Sequence, residues 1–393
     1  MIEETPVPGL QAATEQELFR SARLLGEVVS YRSAGTVEFL FDAETGHYYF
    51  LEVNTRLQVE HGITEQVTGV DIVEMMIQEA AGELPPLESF GKQPRGASIE
   101  ARLYAEDPAK GFLPAPGLLT EVMFPSSEQA RTETWVEPGT EITPYYDPMI
   151  AKIIVTGTDR DDAVEKMRIA LASTSIYGTE TNLRYLRAIV DNETFDRGEI
   201  TTSFLSTFAV ARRAFEVVES GTQTTIQDYP GRLGYWHVGV PPSGPMDSLA
   251  LRLANRLVGN ADGAPALEMT GIGAKLRFDA DAVVAICGAD MAATLDGERV
   301  SMWRSFQVSA GAMLHFSAAK DAGSRTYLAI RGGCDVPSFL GSSSTFMLGR
   351  FGGHAGRALR AGDVIHYLDQ DGESQLRAIP DEVIPIYERP FGR

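Results

Sequence analysis

Two cysteines in 393 residues, Cys287 and Cys334, are too few and too widely spaced for a disulfide framework or a thiolate metal site, and both read as buried thiols. The six histidines, at positions 47, 61, 237, 315, 354 and 366, include no His-x-x-x-His pair, which removes the usual helical zinc pattern. No apolar run approaches the length of a bilayer span, and the opening residues MIEETPVPGL lack the basic-then-apolar order of an export signal. The expectation is a cytoplasmic protein with no membrane contact. Positive charge is scarce as well. The 34 Lys and Arg face 54 Asp and Glu, a net charge of -20, which argues against nucleic acid as a partner because phosphate backbones are bound by clustered Lys and Arg. What remains is the composition of a globular chain, 44% hydrophobic and 22% charged, long enough for two or three domains.

Chemistry is densest from Thr36 to Glu65, TVEFLFDAETGHYYFLEVNTRLQVEHGITE. Two runs rich in Val, Phe, Tyr and Leu flank a turn at Thr45 and Gly46, which predicts an antiparallel hairpin. Side chains alternate between strand faces, so Glu38 and Glu52 share a face and stand opposite each other if Glu38 pairs with Glu52. Two carboxylates so placed repel unless a cation lies between them, and Mg2+ held by carboxylates and nucleotide phosphates suits the arrangement. Glutamates on strands are also commonly a solvated face, and the pair alone leaves both readings open. Beyond the hairpin, Asn54, Arg56, Gln58 and Glu60 recur at every second position, predicting one polar side along an extended segment. Such a set can hold a small anion and take a proton from it.

The run FLEVNTRLQVEHGITE closely resembles the active-site stretch of the biotin carboxylases, members of the ATP-grasp family. That resemblance implies that Glu38 and Glu52 are ligands of Mg2+ (or Mn2+) with Asn54 beside them. It implies equally that Arg56, Gln58 and Val59 hold bicarbonate, that Glu60 is the base that deprotonates it, and that Leu40 lies against the adenine of ATP. Before this stretch, MIEETPVPGL reads as the end of a strand, followed by a helix from about Thr14 to Ser30 with Thr14 as N-cap and Glu17 as its capping-box partner. In biotin carboxylases the matching segment follows the glycine-rich lid and the lysine that grip the nucleotide phosphates. The N-terminal half of the ATP-grasp domain is therefore expected upstream.

Residues 1–88 form the first expected unit, closed by a helix from about Asp71 to Ala81 and by a Pro-rich linker, LPPLESFGKQPRG, from Leu84 to Gly96. Residues 95–208 form the second. There SIEARLYAEDPAKGFLPAPG and EPGTEITPYYDPMIAKIIVTG resemble the C-terminal subdomain of the biotin carboxylases, followed by a helix from Arg160 to about Ser173 and another within YGTETNLRYLRAIV. Arg102 on its own is as well explained as a surface charge. Within IEARLYAEDP, however, the resemblance implies that it binds biotin and steadies its enolate form, a task suited to a cation that stays charged and offers paired donors. Glu100 and Glu106 stand beside it and could orient it.

From Ala214 the pattern changes to short strands broken by Gly and Pro, with one amphipathic helix from about Asp247 to Val258. Residues 214–393 are expected to be a mostly β, barrel-like unit. QDYPGRLGYWHVGVPPSGPMDSLALRLANRLVGN resembles the carboxyltransferase region of urea carboxylase, which is related to the second subunit of allophanate-hydrolase-like proteins. Gln227, Asp228, Asp247 and Glu268 are the polar residues to examine there, although turn and cap chemistry explains them equally well. The fold expected overall is α+β: part of an ATP-grasp domain, a biotin carboxylase C-terminal subdomain, and the N-terminal part of a carboxyltransferase whose second half is expected to follow.

Together these resemblances imply an internal part of a urea carboxylase or urea amidolyase. Bicarbonate deprotonated by Glu60 would attack the γ-phosphate of MgATP to give carboxyphosphate, and biotin would carry the carboxyl group to urea, giving allophanate. No Met-Lys-Met biotinylation motif is present, so the biotin carboxyl carrier is expected on a separate domain or chain. Guanidine in place of urea remains open, as does a truncated product without activity of its own. An acyl-CoA or pyruvate carboxylase is disfavoured by the sequence from Ala214 onward. Biotin carboxylases commonly dimerise, so a homodimer is a further expectation.

Overall fold

Strand Ala97–Tyr104 organises the first half of the molecule, because its two faces do different work. The computed structural model describes residues 1–90, 93–320, 322–368 and 375–387. Gly91 and Lys92 of the expected linker, Asp321, and residues 369–374 and 388–393 of the C-terminal run lie outside the described residues. Ala97–Tyr104 is the second strand of a four-stranded antiparallel sheet in the order Ile2–Thr5, Ala97–Tyr104, Met149–Gly157, Arg131–Thr134. The opening residues thus join the second unit rather than the first. Ile99, Ala101 and Leu103 alternate onto one face with Ile153 and Val155, and are buried against Ala163, Val164, Met167, Ala170 and Leu171 of helix Arg160–Ser173. Asp159 caps that helix by accepting from the Asp162 amide.

The opposite face of the same sheet is charged. It carries Glu3, Glu100, Arg102, Lys152, Glu133 and Arg131, and helix His61–Thr68 docks on it. A Cβ on Gly62 would stand 2.4 Å from Ile154 Cδ1, so a glycine is what lets this helix lie so close to the sheet.

The expected hairpin is present, with Thr36–Phe41 paired to Tyr48–Asn54 and Glu38 opposite Glu52. Its turn is tied by Asp42, whose carboxylate accepts from the Glu44 and Thr45 amides and the Thr45 hydroxyl, and Gly46 takes a left-handed φ of 71°. The first helix runs Ala12–Val28, so Thr14 is not its N-cap. Helical hydrogen bonding already begins at the Gln11 carbonyl, which accepts from the Glu15 amide, and Thr14 falls inside the first turn. Helix Ile72–Ala81 is capped by Asp71, which accepts from the Glu74 amide, and ends at Gly82 with φ of 73°.

The third unit is not barrel-like: its strands form two open sheets. One holds six strands in the order Glu298–Arg299, Thr294–Leu295, Met313–His315, Lys275–Phe278, Ala214–Glu219, Val364–His366. The other holds five, Gln223–Gln227, Ala266–Thr270, Arg325–Ile330, Ala282–Gly288, Ser305–Val308. The five-stranded sheet is buried on both faces. Leu267, Met269, Val284, Ile286, Leu328 and Ile330 share a core with Phe215, Leu276, Phe278 and Leu314 of the six-stranded sheet. The residues between them, Ala266, Ala285, Cys287 and Ala329, are small and pack beneath helix Ser248–Val258 on the other side. A sheet buried on both faces needs a partner on each.

The second and third units meet through polar contacts. Arg212 holds Asp107 at 2.8 Å and Asp279 at 2.8 Å, His366 lies 3.0 Å from Glu180, and the Tyr177 hydroxyl donates to Asp335 at 2.9 Å. A cavity of about 870 Å³ lies between these units, lined by Lys110, Pro114, Arg350, His354 and Arg360 among others. None of the site residues expected from the sequence lines it.

Candidate functional site

Glu38 and Glu52 face each other across the hairpin, and the Asn54 amide sits between them, donating to Glu38 Oε1 at 2.7 Å and to Glu52 Oε1 at 3.0 Å. Both carboxylates therefore come close enough to one point to share a cation. Two carboxylates beside an amide are hard oxygen donors of the kind Mg2+ takes, so the residues present fit that ion. Among the described residues no group of three or more His, Cys, Asp and Glu could hold a metal ion by itself. A cation here would draw its remaining ligands from phosphates and water.

The next polar residues extend this network. Gln58 donates from Nε2 to Glu38 Oε1 at 3.0 Å and accepts from Arg56 NH1 at 2.7 Å. Arg56 is exposed and makes no ion pair among the described residues, so its charge is free for an anion. The polar side of an extended segment does not persist to Glu60. The chain turns at Val59 and Glu60, and Glu60 becomes the N-cap of helix His61–Thr68, with φ of -80° and ψ of 8°. That turn is what carries Glu60 away from Glu38 and against the charged sheet. Glu60 Oε2 lies 2.7 Å from Arg102 NH2, and the Val59 carbonyl accepts from Lys152 Nζ at 2.9 Å.

Arg102 is largely buried. Burial opposes its charge, but Glu3, a hydrogen bond with Tyr104, and Glu60 outweigh that and hold its pKa above the usual guanidinium value. The strand beneath it is fixed by Asn182, a fully buried residue whose amide accepts from the Tyr104 N–H at 2.9 Å and donates to the Arg102 carbonyl at 3.0 Å. Lys152 in turn pairs with Glu133 at 2.5 Å, and Lys152 together with Arg131 keeps the Glu133 carboxyl below its usual pKa despite burial.

Of the residues expected from the sequence, Glu38, Glu52, Asn54, Arg56 and Gln58 form one network, and Val59, Glu60 and Arg102 form an adjoining one. Leu40 stands half exposed further along the hairpin. Glu106 lies close to Asp147, which together with burial raises its pKa, and makes no ion pair with Arg102 among the described residues. Glu3, Lys152 and Asn182 were not anticipated. A signal for Lys152 existed, since it is the one charge inside MIAKIIVTG, an otherwise apolar run. Glu3 and Asn182 reach the site only through sheet registry, which no local pattern carries.

In the third unit Gln227 and Asp228 both meet the loop at 342–345, while Asp247 and Glu268 are joined through the Tyr327 hydroxyl. The Asp228 carboxylate accepts from Ser342 Oγ, the Ser343 amide and Ser344 Oγ, tying two loops together. Asp247 caps its helix through the Ala250 amide, and Glu268 accepts from the Tyr327 hydroxyl and the Met246 amide. Gln227 is buried on the edge strand of the five-stranded sheet.

Comparison with known proteins adds a second line of support. Residues 1–87 match the carbamoyl-phosphate synthase L chain ATP-binding domain, 100–207 the biotin carboxylase C-terminal domain, and 238–390 the carboxyltransferase domain, subdomains A and B. The chain is 47% identical to the urea amidolyase of Saccharomyces cerevisiae over 383 residues, 98% of this chain and 21% of that protein. It resembles the crystal structure of the K. lactis urea amidolyase with a TM-score of 0.92 at 46% identity, covering 98% of this chain and 24% of that one. It also resembles the biotin carboxylase domain of the Hydrogenobacter thermophilus 2-oxoglutarate carboxylase, solved as a dimer with MgADP, ADP and bicarbonate. That match has a TM-score of 0.50 at 40% identity and covers 52% of this chain and 45% of that one. The chain spans about a fifth of the length of the curated urea amidolyases it matches.

Proposed function

The chain belongs to the urea amidolyase and urea carboxylase family of biotin-dependent enzymes, and from that premise we propose that it takes part in the ATP-dependent carboxylation of urea to allophanate. In this reading residues 1–88 contribute to nucleotide and bicarbonate binding, 95–208 complete the biotin carboxylase, and 214–393 belong to the carboxyltransferase. The contact that carries the reading is the 2.7 Å pairing of Glu60 with Arg102. It joins the residue expected to deprotonate bicarbonate to the one expected to serve biotin, although they come from different units of the chain.

Arg56, flanked by Gln58 and the backbone at Val59, holds bicarbonate by charge and directed donors. Glu60 then accepts the bicarbonate proton, a transfer that needs base and acid within hydrogen-bond reach. The anion so formed attacks the γ-phosphate of ATP, whose adenine Leu40 borders, giving carboxyphosphate and releasing ADP; carboxyphosphate breaks down to CO2 and a phosphate that takes the N1 proton of biotin. Glu38 and Glu52, with Asn54, are the residues that would hold Mg2+, which when bound neutralises phosphate charge. Arg102 supplies fixed positive charge for the negative charge developed by proton removal from biotin, in a setting where water screens it little. Biotin, on a carrier domain, supplies the means of moving the carboxyl group to the third unit. A homodimer is the assembly we expect.

The test is ATP cleavage by the protein at its natural length, measured with and without bicarbonate and biotin, with urea and guanidine compared as acceptors. Cleavage that requires bicarbonate and is stimulated by urea supports the proposal. Cleavage indifferent to both sinks it, and stimulation by guanidine alone moves the acceptor.

A further inference from the structure

Arg102 stands among three carboxylates. Glu60 Oε2 lies 2.7 Å and Glu3 Oε1 3.2 Å from its NH2, while Glu100 Oε1 lies 3.7 Å from its Nε. Glu60 and Glu3 are both partly exposed. Glu100 differs from both. It is fully buried, neither of its oxygens accepts a hydrogen bond among the described residues, and Arg102 Nε likewise lacks an acceptor. A sealed carboxyl that accepts no hydrogen bond is costly to keep, and an alkyl side chain would spare that cost.

Geometry ties this group to Arg102 rather than to the core. The two residues are separated by one position on strand Ala97–Tyr104, so their side chains rise side by side from the same face. Helix His61–Thr68 covers Glu100 directly, and a Cβ on Gly62 would sit 3.4 Å from Glu100 Oε2. The carboxyl is thus enclosed beneath the same turn that presents Glu60.

We propose that Glu100 is the positioning residue for Arg102, holding the Nε edge of the guanidinium so that the NH2 edge stays turned toward Glu60 and the anion formed beside it. This rests on the function proposed above. Once Glu60 accepts a proton it loses its charge, and the charge-assisted bond to Arg102 weakens. Glu3 then competes for the freed guanidinium at 3.2 Å. When ionised, Glu100 opposes that swing from a buried site where water and salt screen its pull less than at the surface.

The groups facing Glu100 are Glu3 from strand Ile2–Thr5, Arg102 on its own strand, Lys152 and Glu133 from the neighbouring strands, and Glu60 from the covering turn; Glu65 on the covering helix pairs with Arg131. Burial raises Glu100 to about 7 from 4.5, with Lys152 opposing and Glu3 adding to the rise. Its folded-state value thus lies above its unfolded value. The stability that follows is fully present below the unfolded value and is lost as pH rises through about 7.

The experiment is a comparison of Glu100→Gln with the wild type at natural length, using free biotin as the varied substrate and thermal unfolding against pH as a second readout. The expected result is a KM for biotin raised about tenfold, with KM for bicarbonate and ATP moved less than about twofold, because no contact joins Glu100 to Arg56, Gln58, Glu38 or Glu52 among the described residues. The variant's Tm should also fall less than the wild type's as pH rises through neutrality. An unchanged KM for biotin in an enzyme that cleaves ATP with bicarbonate overturns the proposal. Should the wild type show no such cleavage, the function proposed above fails by itself, and a Tm profile of Glu100→Gln parallel to wild type then overturns the role of Glu100 separately. If Glu100→Gln does not fold, Glu100→Asp keeps the charge one methylene short and is judged by the same biotin KM.

Discussion

The first and third units of this chain are built in opposite ways. In residues 1–90 the buried apolar side chains are Ile63 and Val67, both on the helix that docks against the second unit. Helices Ala12–Val28 and Ile72–Ala81 bury no residue, and Leu51, Val28 and Ile77 are each more than 60% exposed. The third unit instead has a continuous core between its two sheets and a second beneath helix Ser248–Val258. Its polar residues are accordingly occupied in holding loops and caps. The proposed metal residues Glu38, Glu52 and Asn54, by contrast, sit on a hairpin whose apolar side chains Leu51 and Val53 are exposed. The proposed metal residues are therefore housed apart from the core of the third unit.

That separation can be broken or sharpened by four measurements. The largest effect should come from Glu60→Gln, which removes the base while keeping its shape. Bicarbonate-dependent ATP cleavage should drop by about 100-fold to 10,000-fold with the unfolding midpoint unchanged. A Tm shift of the size seen for core variants would contradict the separation. Next is Leu328→Ala, in the core between the sheets, which should cost about 3 kcal/mol in denaturant unfolding and leave ATP cleavage intact while the protein stays folded.

Acid unfolding gives the third. Burial alone would raise the Asp363 carboxyl, but two hydrogen bonds from Arg357 and the nearby His354 hold it well below the usual range. Its folded value is thus below its unfolded one. The stability it contributes is present above the unfolded carboxylate value and lost as pH falls through the folded one. Asp363→Asn should flatten the acid limb of unfolding of the third unit, followed by fluorescence against pH. An unchanged acid limb would mean that this pair is silent. The smallest effect belongs to Ile77→Ser, on an exposed face of the first unit, which should change stability by less than about 0.5 kcal/mol. A cost near that of Leu328→Ala would show that this face is covered in the working protein.

Legibility followed the same division. The hairpin, the opposition of Glu38 and Glu52, and helix Arg160–Ser173 were readable because period-2 and period-3.6 patterns are local. Asp159, Asp71 and Asp247 act as caps just before apolar periodicity begins, and the last of these was readable on that basis. Thr14 misled because it offers the same chemistry one turn too late, after the Gln11 carbonyl has already started the helix. The third unit misled more deeply. Its short strands and glycine turns look alike in a barrel and in two stacked sheets, and only the pairing order distinguishes them.

The sequence by itself determined which residues the proposed chemistry rests on: Glu38, Glu52, Asn54, Arg56, Gln58, Glu60 and Arg102 stand in runs whose spacing and resemblance mark them. Tertiary structure alone decided how they meet. Glu60 reaches Arg102 across 42 positions because the chain turns at Val59, and Glu3 and Lys152 join them because antiparallel pairing brings Ile2–Thr5 and Met149–Gly157 to either side of Ala97–Tyr104. Glu100 shows the limit most clearly. Its neighbour Arg102 is visible in the sequence, but its burial comes from a helix that follows the hairpin, and burial is a property of packing that no local pattern states.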